Sequence, residues 1–557
     1  ATSTLLALAG AGAVVWTLAM GEAIGLRGLE WQWLAPLLGE APPQPSLGWG
    51  ALFVLAGATG FLASGVAARG AFGADAFIAF LVIGSAFLLL VFVFVPLTTI
   101  LTAAIYEGDR FSPGALGARL TAPEAWSLAC LATYEGCGVV WNTLLLASLT
   151  ALISTMLGLF FALLAVRGGG HNGGGLGTCD NGLVIDLASM KGIRVDPHAQ
   201  TVRAEGGCTL GDVDHASHAF GLAIPFGIMS TTGVAGLTLG GGLGHLTRKC
   251  GLSIDNLLEA DVVLADGRLV TASENENSDL LWALRGGGGN FGVVTSLLFK
   301  LHPIATVYGG PMIWPIEQAT EIMQWYRDYI KQAPDDVNGF FAFLNVPPGP
   351  PFPEAWHAKN VCAIVWCCTY PQAQAEEVFA PIRKRFPPVI DFVGPIPYPA
   401  LQSMFDPLYP KGLQWYWRAD FVNELSDAAI AKHIEFGSNL PTLLSTMHLY
   451  PINGAASRVG KNDTAWRYRE STWGSVIAGI DPDPANAGKV RDWTVAYWEA
   501  LHPYSAGGAY VNMMMDDEGD ARIKAAYRDN YARLASIKNR YDPGNLFRVN
   551  QNIKPAV

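Results

Sequence analysis

Residues 165–179 read AVRGGGHNGGGLGTC. An apolar run ends there, and glycines crowd around a single histidine, His171, so the stretch is either a flexible tether or a binding loop. Glycine permits positive φ and lets backbone N–H groups approach a ligand closely. Successive N–H groups in such turns form concavities for anions, phosphate oxygens above all. Two further clusters follow, TTGVAGLTLGGGLG (231–244) and RGGGGNFG (285–292). One cluster would carry little weight. Three, each at the edge of a segment patterned as strand or helix, point to a diphosphate-containing cofactor threaded through one domain; plain surface loops are the bland alternative. A dinucleotide-binding βαβ unit must leave a strand and open a helix, and HLTRKCGLSIDN, after Gly244, is a poor helix.

Outward from these loops the chain changes character. Its mean hydropathy is +0.27 and its charged fraction 15%, unusual for a wholly soluble protein of 557 residues. Residues 1–166 hold eight acidic residues, four arginines and no lysine, while the remainder carries most of the charge. Four uncharged runs, 1–21, 41–68, 76–106 and 136–166, approach or exceed the ~20 apolar residues that span a bilayer. They predict an all-α transmembrane segment of three to four helices over 1–166 and a multi-pass location in a bacterial inner membrane. Four loop arginines are too few to orient it. The net charge of −11, with no basic–aromatic interleaving, argues against a nucleic-acid partner. The eight cysteines include no CxxC pair, and no metal site is expected.

From about residue 183 short β-patterned runs appear. Asp266-Gly267 in VVLADGRLVTAS predicts a two-residue hairpin turn, TLGDVDHASHAFG a short helix, and SDLLWALRGGGGNFGVVTSLLFKLHP a helix, a glycine loop and a strand. Residues 306–505 mix amphipathic helices with strands and are rich in Trp and Tyr, a composition suited to a pocket for a ring-shaped ligand. The C-terminal stretch reads as a helix ending at Asp542-Pro543-Gly544, then a polar tail.

The segments VRGGGHN, GLVIDLASMKGIRVDP, STTGVAGLTLGGGLG, DNLLEADVVLADGRLVTAS, LLWALRGGGGNFGVVTSLLF and YVNMMMDDEGD…YDPGNLFRVNQNI resemble the berberine-bridge-enzyme-like FAD-linked oxidoreductases, from about Val166 to Pro555. The resemblance implies an α+β FAD-binding PCMH-type (vanillyl-alcohol-oxidase-like) fold at 167–305, a second α+β substrate domain at 306–505, and a segment at 506–557 that returns to the first. It implies FAD attached covalently through His171, with Arg167, Gly168, Gly169, Gly170 and Asn172 around the pyrophosphate. Gly227, Thr231, Thr232, Gly233, Gly236 and Gly241 would line a second cofactor loop, and Asn290, Phe291, Gly292 and Val294 a third. Asn512, Asn550 and Gln551 would reach the flavin from the C-terminal side. Relatives with a second, cysteinyl bond place that cysteine where Met229 stands, so a single attachment is expected. Thr232 falls near the position that gates oxygen, which leaves oxidase and dehydrogenase both open, with O2 a candidate acceptor.

For the catalytic base, the glutamate used by some relatives is replaced by Arg458. The Y-x-N motif of others matches Tyr510-Val511-Asn512. Tyr510 is therefore the expected proton acceptor while hydride passes to the flavin, with Tyr416 a helper, and the substrate is a small alcohol, sugar or secondary metabolite. Residues 78–167 are similar to the start of iron(III)-type ABC transporter permeases, but the match stops before the coupling loop, so no ATPase partner is expected. About 60 residues that precede the first glycine loop in the flavoprotein family have permease-like sequence in their place. A permease component and a non-functional hybrid of two truncated proteins are the alternative functions.

Overall fold

Thr201–Glu205 (TVRAE) buries Val202 and Ala204 and leaves their neighbours half-exposed, the period-2 pattern of a sheet covered on one face. That sheet belongs to the second of two compact units, Ala1–Leu157 and Gly158–Val557. The structure, a computed structural model, describes residues 163–556 continuously. Before them it describes 2–25, 28–29, 36, 49–69 and short stretches between 79 and 152.

In the second unit, β1 (Leu163–Arg167) and β2 (Gly182–Asp186) pair in parallel. β3 (Ile193–Asp196), β4 (Thr201–Glu205), β5 (Leu257–Val263), β6 (Leu269–Ser273) and β7 (Val293–Lys300) form an antiparallel sheet in the order β6-β5-β7-β4-β3. Asp266-Gly267 closes the β5–β6 hairpin, with Gly267 at φ 83°. Helix Leu210–His218 starts at a capping box built by Thr209 and Asp212.

A larger antiparallel sheet follows: β8 (Thr306–Pro315), β9 (Val337–Asn345), β10 (Asn360–Cys368), β11 (Ile390–Asp391), β12 (Gly394–Pro397), β13 (Gln414–Val422), β14 (Thr446–Pro451) and β15 (Trp473–Asp481). Its order is β11-β8-β10-β9-β14-β15-β13, with β12 also on β8. Alternation along β9 sorts the faces. Phe341 and Phe343 pack with helices Ala319–Gln332, Gln372–Arg385, Asp427–Gly437 and Ala487–Leu501. Phe340 and Ala342 point the other way, into a cluster with Leu243, Leu252 and Ile254 from the first sheet's loops.

Helices Gly519–Tyr527 and Asn530–Tyr541 return to the first sheet, where Ile523, Leu534 and Ile537 join its core. Lys538 is fully buried among them. Its Nζ donates to Asn290 O (2.6 Å), Phe547 O (3.0 Å) and Asp542 Oδ2 (2.6 Å), so the charge is paired and every ammonium hydrogen is used.

The membrane expectation is corrected. Among the described residues no helix is long and apolar enough to cross a membrane, which overturns the inner-membrane location drawn from hydropathy and leaves the transmembrane segment without support. Helices Thr2–Ala23 and Trp49–Ala67 occupy the first two runs and pack on each other, so closely that a Cβ on Gly10 would collide with Leu62. Alanine and glycine fill much of both, and such small side chains supply little apolar area each. Runs 76–106 and 136–166 lie mostly outside the described residues. The last ends not as helix but as β1, whose Leu164 and Val166 pack with Leu187, Val293 and Phe547.

Two buried histidines make stability pH-dependent. Burial pushes the imidazoles of His245 and His433 down to about 3. In the unfolded chain they titrate near ~6.5, so below that pH the unfolded state binds protons the native state refuses, and stability falls as pH falls. Between pH 7 and pH 5 the pair should cost about 4 kcal/mol. The buried Asp214 carboxyl, which burial holds well above the usual range, favours the folded state as pH falls and partly offsets this; the net loss is read as a lower urea midpoint. An unchanged midpoint would contradict it.

Candidate active site

The three glycine loops converge on one cavity of about 840 Å³, within the roughly 300–1,000 Å³ of small-molecule and cofactor sites. The first loop leaves β1 directly. Arg167 at that exit donates from its guanidinium to Asp186 Oδ2 on β2 at 2.7 Å. Gly169 and Gly233 meet back to back, and a Cβ on either would collide with the other's backbone nitrogen. Gly236 and Gly289 differ: both line the cavity, and a Cβ on either would meet nothing within 4 Å. Gly236 sits in helix Val234–Leu239, where glycine costs roughly 0.5–1 kcal/mol relative to alanine. Protein contacts do not call for glycine there; a ligand lying along the helix would.

His171 faces this space and its Nε2 shares a hydrogen bond of 2.9 Å with Thr231 Oγ1. Burial lowers its pKa, Asp406 pulls it back up and Lys411 pushes it down, so the ring is neutral at neutral pH. Nδ1 has no hydrogen-bond partner among the described residues. Asp406 accepts from the N–H of Ser230 at 3.0 Å and from its hydroxyl, which ties segment 406–413 to the second loop.

Tyr510 reaches the cavity from the C-terminal side. Its hydroxyl oxygen accepts from Gly242 N–H and Asn512 Nδ2, both at 2.9 Å. Burial raises its pKa, while Asn512 and the amides of Gly242 and Leu243 pull the other way. Asn512 is itself held by donating to Leu237 O at 2.8 Å. Asn290 donates to Gly287 O and Gln551 O and accepts from Ile553 N–H, and Asn550 donates to Gly289 O, so the third loop and the chain's last residues are laced together.

Of the residues read from sequence, 167–172, Gly227, Thr231, Thr232, Gly233, Gly236, Asn290, Gly292, Val294, Tyr510, Asn512, Asn550 and Gln551 line the cavity. Three do not. Gly241 lies beneath the Tyr510 ring, where a Cβ would stand 3.0 Å away, and Phe291 is fully buried in the first sheet's core. Tyr416 is also turned away: alternation along β13 puts Trp415 and Trp417 on the cavity side. The Tyr416 hydroxyl instead donates to Asp517 Oδ2 at 2.7 Å, and burial, then that bond, pushes its pKa up to about 12.

The opposite wall escaped the sequence reading. Thr446, His448 and Tyr450 of β14 and Val476, Ala478 and Ile480 of β15 face the cavity at every second residue. The alternation in TMHLYP was visible; its orientation was not. Met229 lines the cavity beside the second loop.

The cavity, the interlocked glycine loops and the gap at Gly236 describe a site for a diphosphate-containing cofactor between the two sheets of the second unit. A protein family described as FAD binding domain matches residues 162–273, and one described as berberine and berberine-like matches 509–554. An FAD-linked oxidoreductase of Dictyostelium discoideum is 34% identical over 393 residues, covering 70% of this chain and 83% of its own. The (R)-6-hydroxynicotine oxidase of Paenarthrobacter nicotinovorans is 28% identical over 70% of this chain and 86% of its own. Crystal structures of similar fold include 6-hydroxy-D-nicotine oxidase from Arthrobacter nicotinovorans (TM-score 0.62, 25% identity, 71% of this chain and 87% of that one). Another is a chitooligosaccharide oxidase (TM-score 0.61, 22% identity, 72% and 88%). The chain belongs to the berberine-bridge-enzyme-like FAD-linked oxidoreductases, and it is an enzyme with FAD as cofactor. These matches give the permease resemblance no support.

Gly236→Ala should therefore leave the apo fold as stable or more stable, by up to about 1 kcal/mol, yet lower the flavin-to-protein absorbance ratio. An unchanged ratio would mean that no ligand passes Gly236.

Proposed function

We propose that this enzyme oxidises an alcohol group of a small organic substrate to a carbonyl, with FAD linked through His171 alone and Tyr510 as the base. The observation that carries the reading is the set of N–H donors converging on the Tyr510 oxygen at the cavity wall. FAD, when bound, supplies the acceptor for the hydride that leaves the carbinol carbon. Tyr510 takes the hydroxyl proton, and the N–H groups of Gly242 and Asn512 stabilise the phenolate form that can accept it. His171 is neutral, and Thr231 engages Nε2, which leaves Nδ1 as the nucleophilic lone pair for the covalent link. The Met229 thioether carries no ionisable thiol, so it forms no second bond. Loops 167–173, 231–244 and 286–292 hold the cofactor, and the sheet of 306–505 covers the substrate. Two relatives are oxidases by name, which supports O2 as the final acceptor.

Anaerobic mixing of the purified full chain with a panel of alcohols tests this. A yellow protein that bleaches with one of them is expected; a protein that purifies without flavin would sink the proposal.

A further inference from the structure

The turn that follows His171 rests on residues from distant parts of the chain. Asn172 Oδ1 accepts from Leu176 N–H at 3.1 Å, and Asn172 O from Gly175 N–H at 3.2 Å, which closes residues 172–176 on themselves. Two of the glycines are points of contact. A Cβ on Gly173 would stand 2.8–3.0 Å from the six-membered ring of the Trp417 indole, and one on Gly174 would stand 3.2 Å from Asp516 N. Trp417 is buried, and its Nε1 has no hydrogen-bond partner among the described residues. The turn therefore meets the flat ring rather than a polar group.

Behind this seat lies a charge network that the chemistry at Tyr510 does not use. On the other face of β13, Arg418 donates to Asp517 Oδ1 at 2.8 Å and lies 3.3 Å from Glu518 Oε1. Tyr416 donates to Asp517 Oδ2 at 2.7 Å. Glu518 accepts from Met515 N–H at 2.8 Å and from Arg522 Nε at 3.1 Å, and Arg522 reaches back to Ala419 O at 2.7 Å. Arg418 and Glu518 are buried, so salt screens their pairing little. The network fixes β13 to residues 515–518 across 99 positions of sequence, and the turn sits where the two segments meet.

A group that must form a bond is placed more strictly than one that only touches a ligand; a shift of about 1 Å can cost on the order of 10²-fold in rate. We propose that Trp417 is a positioning residue for covalent attachment, holding Gly173 so that His171 Nδ1 meets the flavin, and that the Arg418–Asp517–Glu518 network holds Trp417 and Asp516 together as one seat. The inference rests on the His171 link proposed above and adds the residues that place it. In that step Nδ1 bonds to the methyl carbon at flavin position 8, and a C–H bond of that carbon breaks. The carbon and the imidazole Nε2 each release a proton. The C–H electron pair reduces the flavin ring, and O2 removes two electrons and two protons as hydrogen peroxide. The glycine loops hold the cofactor whether or not the turn is seated, so binding and attachment separate.

Full-length protein from riboflavin-starved cells, mixed with FAD in air, tests this. Flavin kept through desalting measures binding, and flavin kept through trichloroacetic acid measures attachment. Trp417→Ala should bind FAD but attach it at least about tenfold more slowly than wild type. Trp417→Phe keeps a flat ring against Gly173 and should restore most of the rate. Gly173→Ala crowds the same contact from the other side and should also slow attachment. Combined with Trp417→Ala it should cost less than the product of the two separate effects. Asp517→Asn, acting from outside the cavity, should slow attachment without changing binding. Should Trp417→Ala fail to fold, Gly173→Ala and Asp517→Asn carry the test. Attachment per bound flavin at the wild-type rate in these variants would overturn the proposal, as would a Trp417→Phe protein no faster than Trp417→Ala. A wild type that binds FAD but never keeps it through acid would instead remove the His171 link, and this inference with it.

Discussion

Tyr510→Phe should lower kcat by about 10²–10⁴-fold, the usual contribution of a positioned general base, with flavin content unchanged. The ring stays to cover Gly241, so packing is preserved and only the oxygen is lost. The pH profile separates this from a structural effect. Burial holds the Tyr510 pKa above that of an ordinary phenol despite its three N–H donors. Its base form therefore grows with pH throughout the neutral range, and the wild-type rate should climb with pH, approaching tenfold per unit. The variant's rate should be flat over the same range. A variant with the same slope as wild type would show that another group takes the proton. Asn512→Ala, which removes one of the donors and the restraint on the ring hydroxyl, should move the rise to higher pH.

His171→Ala should abolish acid-stable flavin altogether: trichloroacetic acid would precipitate a colourless protein where the wild type precipitates yellow. The geometry makes the loss complete, because the Met229 thioether has no thiolate to form an alternative bond. Thr231→Val should act more gently. It removes the bond that holds Nε2, so the ring can turn and the link should form slowly or incompletely. Flavin that stays with acid-precipitated His171→Ala protein would place the attachment on another residue.

Local chemistry was legible in the sequence wherever one residue type answered one backbone need. The Asp266-Gly267 hairpin and the Thr209 helix start depend on neighbours within a few positions. Gly169 and Gly233 were recognisable as loop glycines, though that they touch each other, 64 positions apart, was not. Two other errors share a cause. Leu163–Arg167 looked like the tail of an apolar helix, and only its parallel partner at 182–186 makes it a strand. Tyr416 was expected to act as a helper, but which face of β13 turns to the cavity depends on β15, some 60 positions away. The wall that carries His448 needed the same long-range register. At the N-terminus, hydropathy scored alanine and glycine as bilayer material, while the two described helices use those small residues to approach each other.

The cavity draws on residues from Leu164 to Gln551, and Tyr510, Asn512, Asn550 and Gln551 all come from the last fifty or so positions. During synthesis the glycine loops emerge hundreds of residues before the segment that closes them. A ribosome-bound chain therefore has half a cradle and no lid. Full closure of the cofactor site waits until Lys538 has settled against Asn290 and Phe547. Cofactor loading is then a late step in the life of this polypeptide, and a message that stops short of residue 551 would yield a chain unable to keep its colour.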